Sequence, residues 1–251
     1  MSTKKRPGFP GRFVFDSSCC GSYNGPMQNV AKQTYAAASR PMQFMQLDAI
    51  AKAQASRDPY PHVIASGALL PDTAAALKRD FPNIKKTGYL PLSVVERKGA
   101  FDALLSDLES EAYARVVGEK LGLDLVGKPC IITVRKWSAA KDGNIHNDGE
   151  AKIATSLVYL NEGWPEGDAG RLRVLRSDKS FDDTAAEVPP TYGTFFAFAR
   201  THNSWHGHKP FAGERRVIQQ AWLRSWEDYE RKEKRGRISY FFKRLVNSSE
   251  Y

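Results

Sequence analysis

The feature that most constrains the fold is a change of hydrophobic period near residue 130. Beyond it, apolar and polar residues alternate in five segments that Gly, Pro, Asn and Asp separate. Alternation with a period of two is typical of β-strands, and the separating residues favour turns. The predicted strands are CIITVRKW (130–137), AKIATSLVYL (151–160), RLRVLR (171–176), GTFFAFAR (193–200) and RRVIQQAWL (215–223).

The chain before residue 130 predicts mainly helices. PDTAAALKRDF (71–81) opens with Pro and Asp and continues with good helix formers. A second helix is expected over about 101–120, where apolar residues recur at helical spacing, and Gly122 ends it. DPYPHVIASGALL (58–70) predicts a turn and then a short strand. Helices followed by a run of strands indicate an α+β, β-rich fold whose strands form a sandwich or jelly roll.

The composition fits one large domain with additional terminal segments. The chain has 251 residues, of which 41% are hydrophobic and 26% charged, enough to bury a sizeable core. Residues 1–45 are rich in Gly, Ser, Pro and Ala and predict an irregular arm. The predicted domain covers 46–226, with helical support at about 70–125 and a strand core at about 128–226. Residues 227–251 predict a basic C-terminal helix or tail.

The net charge limits the kinds of binding partner that we expect, and the cysteine content indicates the cellular compartment. The net charge of +9 and the pI near 9.4 permit binding to anionic partners without requiring it. Part of the excess lies in KKR (4–6) and in 231–244, which predict solvated tails. No apolar run approaches the ~20 residues that span a bilayer, and the N-terminus has no apolar signal region. Three cysteines, two of them adjacent, predict a reduced cytoplasmic protein without a disulfide framework.

Four of the five histidines are candidate ligands of a metal site. His146 and Asp148 are two residues apart, so on an extended segment both side chains point the same way. His202, His206 and His208 lie within seven residues of one another. One of these three would complete a face of two histidines and one carboxylate, which suits non-haem Fe(II). The same ligands could instead hold Zn²⁺ with a hydrolytic water.

An ordered series of motifs extends this pattern over about 130–223. The motifs are HND (146–148), TSLVYLN (155–161), AGRLRVL (169–175) and SWHGHKPFAGERRVIQQAW (204–222). With them the sequence resembles the 2-oxoglutarate and Fe(II)-dependent oxygenases, and is most similar to the prolyl-hydroxylase-like group. The resemblance implies a double-stranded β-helix, or jelly-roll, core with N-terminal helices packed against it. It also implies Fe(II), 2-oxoglutarate and O2 as cofactor and cosubstrates, with His146, Asp148 and His206 as iron ligands and His208 as the alternative.

The distal carboxylate of 2-oxoglutarate requires a cation, and a guanidinium can bind it through two hydrogen bonds. Arg215 and Arg216 are the candidates, and on a strand they face opposite ways. Arg216 takes the family's position and shares its face with Trp222, so the resemblance implies Arg216 and leaves Arg215 as an outward charge. The other residues implied for the cosubstrate site are Tyr159, Thr155, Trp137 and Trp222, and those for the substrate pocket are His208, Asn203 and Arg135.

The implied reaction couples oxidative decarboxylation of 2-oxoglutarate to hydroxylation of an unactivated C–H. Halogenating relatives have a small residue where this chain has Asp148, so the aspartate favours hydroxylation and leaves desaturation and ring closure as alternatives. The implied substrate is a small molecule, a glycan, or an amino-acid or peptidyl group. A nucleic-acid-modifying oxygenase is disfavoured because the next arginine, Arg224, is eight residues beyond Arg216. A zinc hydrolase with the same three ligands and a non-enzymatic module of the same fold are also disfavoured, and the sequence indicates no oligomeric state.

Overall fold

A computed structural model describes residues 41–247, with side chains described to residue 236. In this part of the chain the strands are β1 (Ala55–Ser56), β2 (His62–Ala65), β3 (Leu90–Pro91), β4 (Cys130–Ser138), β5 (Lys152–Tyr159), β6 (Leu172–Leu175), β7 (Thr184–Val188), β8 (Phe195–Ala199), β9 (His206–His208) and β10 (Gly213–Leu223). The α-helices are α1 (Leu47–Lys52), α2 (Ala74–Asp80), α3 (Gly99–Leu108), α4 (Glu111–Leu121) and α5 (Trp226–Asn247).

The strands form two antiparallel sheets. The larger sheet has the order β1-β2-β8-β5-β10-β4-β3, and the smaller has the order β7-β6-β9. One apolar cluster lies between them and includes Leu157 and Val217 on the larger sheet and Leu172 on the smaller. A second cluster packs the other face of the larger sheet, with Ile218 and Trp222, against the helices. This is a jelly-roll core with helices against one sheet, and the predicted fold class is confirmed.

The single helix predicted over 101–120 is two helices. The hydroxyl of Ser110 accepts a hydrogen bond of 3.1 Å from the N–H of Tyr113 and so caps the start of α4. Just before this break, the buried carboxylate of Asp107 accepts the backbone N–H groups of residues 43–45. The apolar stripe continues across the break, which is why its period predicted one helix. Gly122, at φ +72°, ends α4 as expected.

Four of the described strands were missing from the sequence prediction, and two of them, β1 and β3, have only two residues each. β7 lies in a segment rich in Ser, Asp and Pro, which indicated a loop. β9 is only three residues long and pairs with β6, so that His206 lies opposite Val174 and His208 lies opposite Leu172. This short pairing fixes the position of both histidines in the smaller sheet.

The terminal segments were predicted to be separate from the domain. Residues 1–40 of the predicted arm lie outside the described residues, and the C-terminal segment contains α5. The division into an arm, one domain and a basic tail therefore stays a prediction. No helix within residues 41–247 has the length and apolarity that crossing a membrane requires.

Candidate metal centre and adjoining cavity

His146, Asp148 and His206 come together at one end of the jelly roll. One ligand atom from each lies within 4.8 Å of the others. His146 and His206 are held by a pair of backbone hydrogen bonds of 3.0 Å, each from the N–H of one residue to the carbonyl of the other. Asn147 lies between the first two candidates and donates to the carbonyls of Thr201 and His202, both at 2.8 Å. Backbone pairing and this amide therefore fix the three side chains relative to one another.

Both candidate histidines have rings oriented to bind a cation. The Nδ1 of His146 lies 2.8 Å from the carbonyl of Asn144, and the Nδ1 of His206 lies 2.8 Å from the carbonyl of Ser204. Because a carbonyl only accepts hydrogen bonds, each Nδ1 carries a proton, and each Nε2 then presents a lone pair. Burial lowers the pKa of His206 to about 4, despite the opposing effect of the Asp148 carboxylate. His206 is therefore neutral near neutral pH, as metal binding requires.

Asp148 is a buried carboxylate that stays ionised. Its Oδ1 accepts a hydrogen bond from Lys152 Nζ and its Oδ2 accepts one from Thr155 Oγ1, both at 2.7 Å. Burial alone would raise its pKa, but the Lys152 ammonium, the neighbouring His206 and these two hydrogen bonds hold the pKa of Asp148 well below its usual range. With two imidazole nitrogens and one carboxylate, the donor set fits non-haem Fe(II) and leaves coordination positions open.

A cavity of about 80 Å³ adjoins two of the candidate ligands, His146 and His206, and lies between the two sheets. His146 and His206 form part of its wall, together with His208 and two arginines, Arg135 and Arg215. The ring of His208 fits only because residue 143 is glycine. A Cβ there would lie 2.3 Å from the ring, and the backbone of Gly143 has φ +91°. The cavity therefore joins a metal-type donor set to two guanidinium groups.

Arg215, and not Arg216, lies in this cavity. Arg215 is 1% exposed, and its guanidinium donates to the hydroxyl of Tyr159 and to the carbonyl of Gly170, both at 3.1 Å. The side chain of Arg216 instead forms an ion pair of 2.6 Å with Glu214 and lies over the ring of Phe81. The expectation for these two arginines is corrected by the structure. Both faces of β10 are buried, and Arg215 is on the face that looks between the sheets.

Other residues implied for the site have different contacts. Trp222 is fully buried on the helix side of the larger sheet, where it stacks on Tyr113 with ring centroids 6.0 Å apart. Trp137 donates its indole N–H to the carbonyl of Ile84 and is not part of the cavity wall. These two expectations are also corrected, since the cavity-facing residues of β10 are those that share a face with Arg215.

Asn203 and Thr155 form hydrogen bonds that hold the turn before β9 and the Asp148 carboxylate in place. The amide of Asn203 donates to the carbonyl of Pro59 and accepts from Thr201, which fixes the turn before β9. Thr155 donates its hydroxyl to Asp148. His208 and Arg135 do lie in the cavity wall. Tyr159 is not part of the wall but contacts Arg215 through its hydroxyl.

Three residues of the site were not predicted from the sequence. Lys152 contacts Asp148, while Tyr89 and Gln219 are part of the cavity wall. Gln219 could have been found, because it is two strand positions from Val217 and four from Arg215 on the same face. Nothing in the local sequence separates Lys152 from a solvated strand lysine.

Comparison with known proteins identifies the class. A family model described as the 2OG-Fe(II) oxygenase superfamily matches residues 135–224. This segment is a 2OG-Fe(II) oxygenase domain. The match includes all three candidate ligands and both Arg215 and Tyr159. The matched domain is thus that of a dioxygenase that uses Fe(II), 2-oxoglutarate and O2, and the predicted resemblance is confirmed.

The oxygenase domain is also similar to solved structures. One is a Pseudomonas putida prolyl-4-hydroxylase, at 19% identity and a TM-score of 0.48, covering 75% of this chain and 97% of that chain. Another is the viral collagen prolyl hydroxylase of Paramecium Bursaria Chlorella virus-1 in its 2OG complex, at 15% identity and a TM-score of 0.46, covering 65% and 95%. A search of curated proteins finds no match. The reaction class rests on the family match and the donor set rather than on these likenesses.

The metal-free oxygenase is expected to lose stability as the pH falls from about 6.5 towards about 4. Burial lowers the pKa of His206 and of His208 from 6.5 to about 4. In this window the unfolded chain binds more protons than the folded chain, so unfolding becomes easier as the pH falls. The expected loss of unfolding free energy is up to about 3 kcal/mol for each ring.

Urea denaturation of the chelator-treated protein at several pH values across this window measures the effect. His208→Gln should remove part of the pH dependence and leave the rest to His206 and the other titrating groups. An unfolding free energy that changes equally with pH in wild type and variant would contradict the assignment.

Proposed function

We propose that His146, Asp148 and His206 bind the iron of this dioxygenase. The donor set supports this role, because two imidazole Nε2 atoms and one ionised carboxylate converge on a single point. The bound iron supplies the redox chemistry that couples decarboxylation of 2-oxoglutarate to oxidation of a substrate C–H. Lys152 and Thr155 hold the Asp148 carboxylate in one orientation, and Asn147 holds the turn that carries His206.

Arg215 binds the distal carboxylate of 2-oxoglutarate, with Tyr159 as its partner. The observation that carries this role is the shared cavity, whose wall includes Arg215 at one place and both ligand histidines at another. Arg215 contacts no carboxylate among the described residues, because its hydrogen-bond partners there are a tyrosine hydroxyl and a backbone carbonyl. A buried cation without an anionic partner is the arrangement expected where a ligand carboxylate binds.

The substrate is a small molecule, a glycan, or an amino-acid or peptidyl group, and the outcome is hydroxylation. Asp148 supports hydroxylation because the carboxylate is present and is held in place by two hydrogen bonds. His146 is exposed, so we expect the features that select the substrate to lie on that side of the metal site.

Anaerobic titration with Fe(II) and then 2-oxoglutarate tests the proposal without knowledge of the substrate. A visible charge-transfer band should appear only when both are present, because the keto acid must chelate the iron. The band should be absent in His146→Ala and in Asp148→Ala. Binding of the metal without any band on addition of 2-oxoglutarate would contradict the proposed roles and favour hydrolysis by bound Zn²⁺.

A further inference from the structure

The cavity contains a second buried cation that the proposed function leaves unused. Arg135 is 7% exposed, and its Nε has no hydrogen-bond partner among the described residues. Its guanidinium lies 4.2 Å from the centroid of the Tyr89 ring. The nearest carboxylate, that of Asp142, is 3.8 Å from Nη2, and its Oδ2 already accepts the backbone N–H of Ala139. A buried guanidinium with an unused donor requires a ligand or water to satisfy it.

Along the strand direction, Arg135 lies at a level between those of Arg215 and Thr155, on the strand that flanks β10 on the side away from β5. On β10, Val217 lies opposite Tyr159 of β5 and opposite Arg135 of β4. Arg215 lies two positions before this level on β10. Further along the strand, Ala221 lies opposite Thr155, whose hydroxyl contacts Asp148. A molecule that reaches from Arg215 to the ligand histidines within the cavity therefore spans the level of Arg135, which is part of the same wall.

The charges in the cavity suit a dianion. Arg135 and Arg215 both form part of its wall, and the one carboxylate near either of them among the described residues is that of Asp142. His208 donates from its Nδ1 to the carbonyl of Lys209, 2.9 Å away, and its Nε2 has no hydrogen-bond partner among the described residues. A volume of about 80 Å³ leaves room for one small molecule rather than two. A single ligand with two carboxylates would pair with both arginines.

We infer that Arg135 binds the carboxylate next to the keto group of 2-oxoglutarate, so that the cosubstrate is held by one arginine at each end. This inference rests on the proposed function of the site. Arg135 is a binding residue for the cosubstrate, and it fixes the keto-acid end beside the iron ligands. A substrate carboxylate is the competing occupant, and in that case removal of the Arg135 guanidinium would leave the binding of keto acids unchanged.

The test compares two keto acids on the Mn(II)-loaded protein, with binding followed by the change in water-proton relaxation as each keto acid chelates the metal. 2-Oxoglutarate has both carboxylates, whereas 2-oxobutanoate has only the one beside the keto group. Arg135→Gln should raise the Kd of both ligands at least about tenfold, as expected for a lost charge-assisted hydrogen bond. Arg215→Gln should raise the Kd of 2-oxoglutarate alone. Arg216→Gln is the matched control on the same strand and should change neither.

The outcomes separate the inference from the proposed function. If Arg215→Gln weakens 2-oxoglutarate but Arg135→Gln weakens neither keto acid, the inference is overturned and the function stands. If Arg135→Gln weakens 2-oxoglutarate only, both arginines act on the distal carboxylate and the inference is again overturned. If the wild type binds no keto acid, the proposed function fails together with it. Should Arg135→Gln no longer bind Mn(II), Arg135→Lys replaces it. This variant keeps the charge but not the paired donors, and it should weaken both ligands by a smaller factor.

Discussion

Replacing His206 with alanine is expected to abolish turnover and to weaken Fe(II) binding by more than about 100-fold, since loss of a residue that only supports a ligand already costs roughly 10–100-fold. His206 is buried, neutral and oriented by the carbonyl of Ser204, so its Nε2 is available to a cation without rearrangement. The alanine variant removes this donor and leaves two ligands. Anaerobic metal titration and consumption of 2-oxoglutarate measure the two effects.

His208→Ala is the matched control for this prediction. His208 lies two residues along the same strand and also forms part of the cavity wall, but the converging donor set contains His206. The control should therefore keep Fe(II) binding within a small factor of wild type. Retention of Fe(II) by His206→Ala together with its loss in His208→Ala would show that the ligand lies two residues further along the chain.

The metal site could be predicted because its ligands are set by local sequence. His146 and Asp148 are two residues apart, and β9 begins at His206 directly after a turn. The choice between His206 and His208 depends on where β9 lies. With only three residues, this strand is too short to be recognised from the alternation of apolar and polar residues. What places His206 is its backbone pairing with His146, which is a contact between distant parts of the chain.

The fold could be predicted where one period continues through a whole element. The five strands were found because each alternates over several residues, and α2 because it has a clear start. The break between α3 and α4 was not found, because apolar residues continue through it while Asp107 and Ser110 determine the backbone. The break between these helices is set by side chains that form hydrogen bonds with backbone groups. The spacing of apolar residues gives no information about such bonds.

The alternation of side-chain directions along a strand does not show which side chains face which neighbouring layer when both faces of the strand are buried. It shows that Arg215 and Arg216 point opposite ways, but not which of them points between the sheets. Both faces of β10 contain apolar residues, with Val217 in the cluster between the sheets and Ile218 in the cluster under the helices. Only the position of the helices decides between the faces, and this is a property of the tertiary structure.

Arg215→Gln is accordingly expected to raise the Kd for 2-oxoglutarate roughly 30- to 5,000-fold, which corresponds to the roughly 2–5 kcal/mol lost when one partner of a buried charge pair is truncated. Arg216→Gln should change it by less than about twofold, because its guanidinium is paired with Glu214 near the start of β10 and is not part of the cavity wall. Isothermal titration of the metal-loaded protein measures both values.

The two variants differ by one position on one strand, so loss of a positive charge is common to both and cancels in the comparison. Arg215→Gln also removes hydrogen bonds to Tyr159 and Gly170, so its thermal unfolding must be compared with that of wild type. Tyr159→Phe removes the same hydroxyl contact without removing the guanidinium, and it should weaken 2-oxoglutarate much less than Arg215→Gln does. The opposite order, with Arg216→Gln as the severe variant, would mean that the face of β10 towards the helices binds the cosubstrate. In that case the cavity beside His206 would need another occupant.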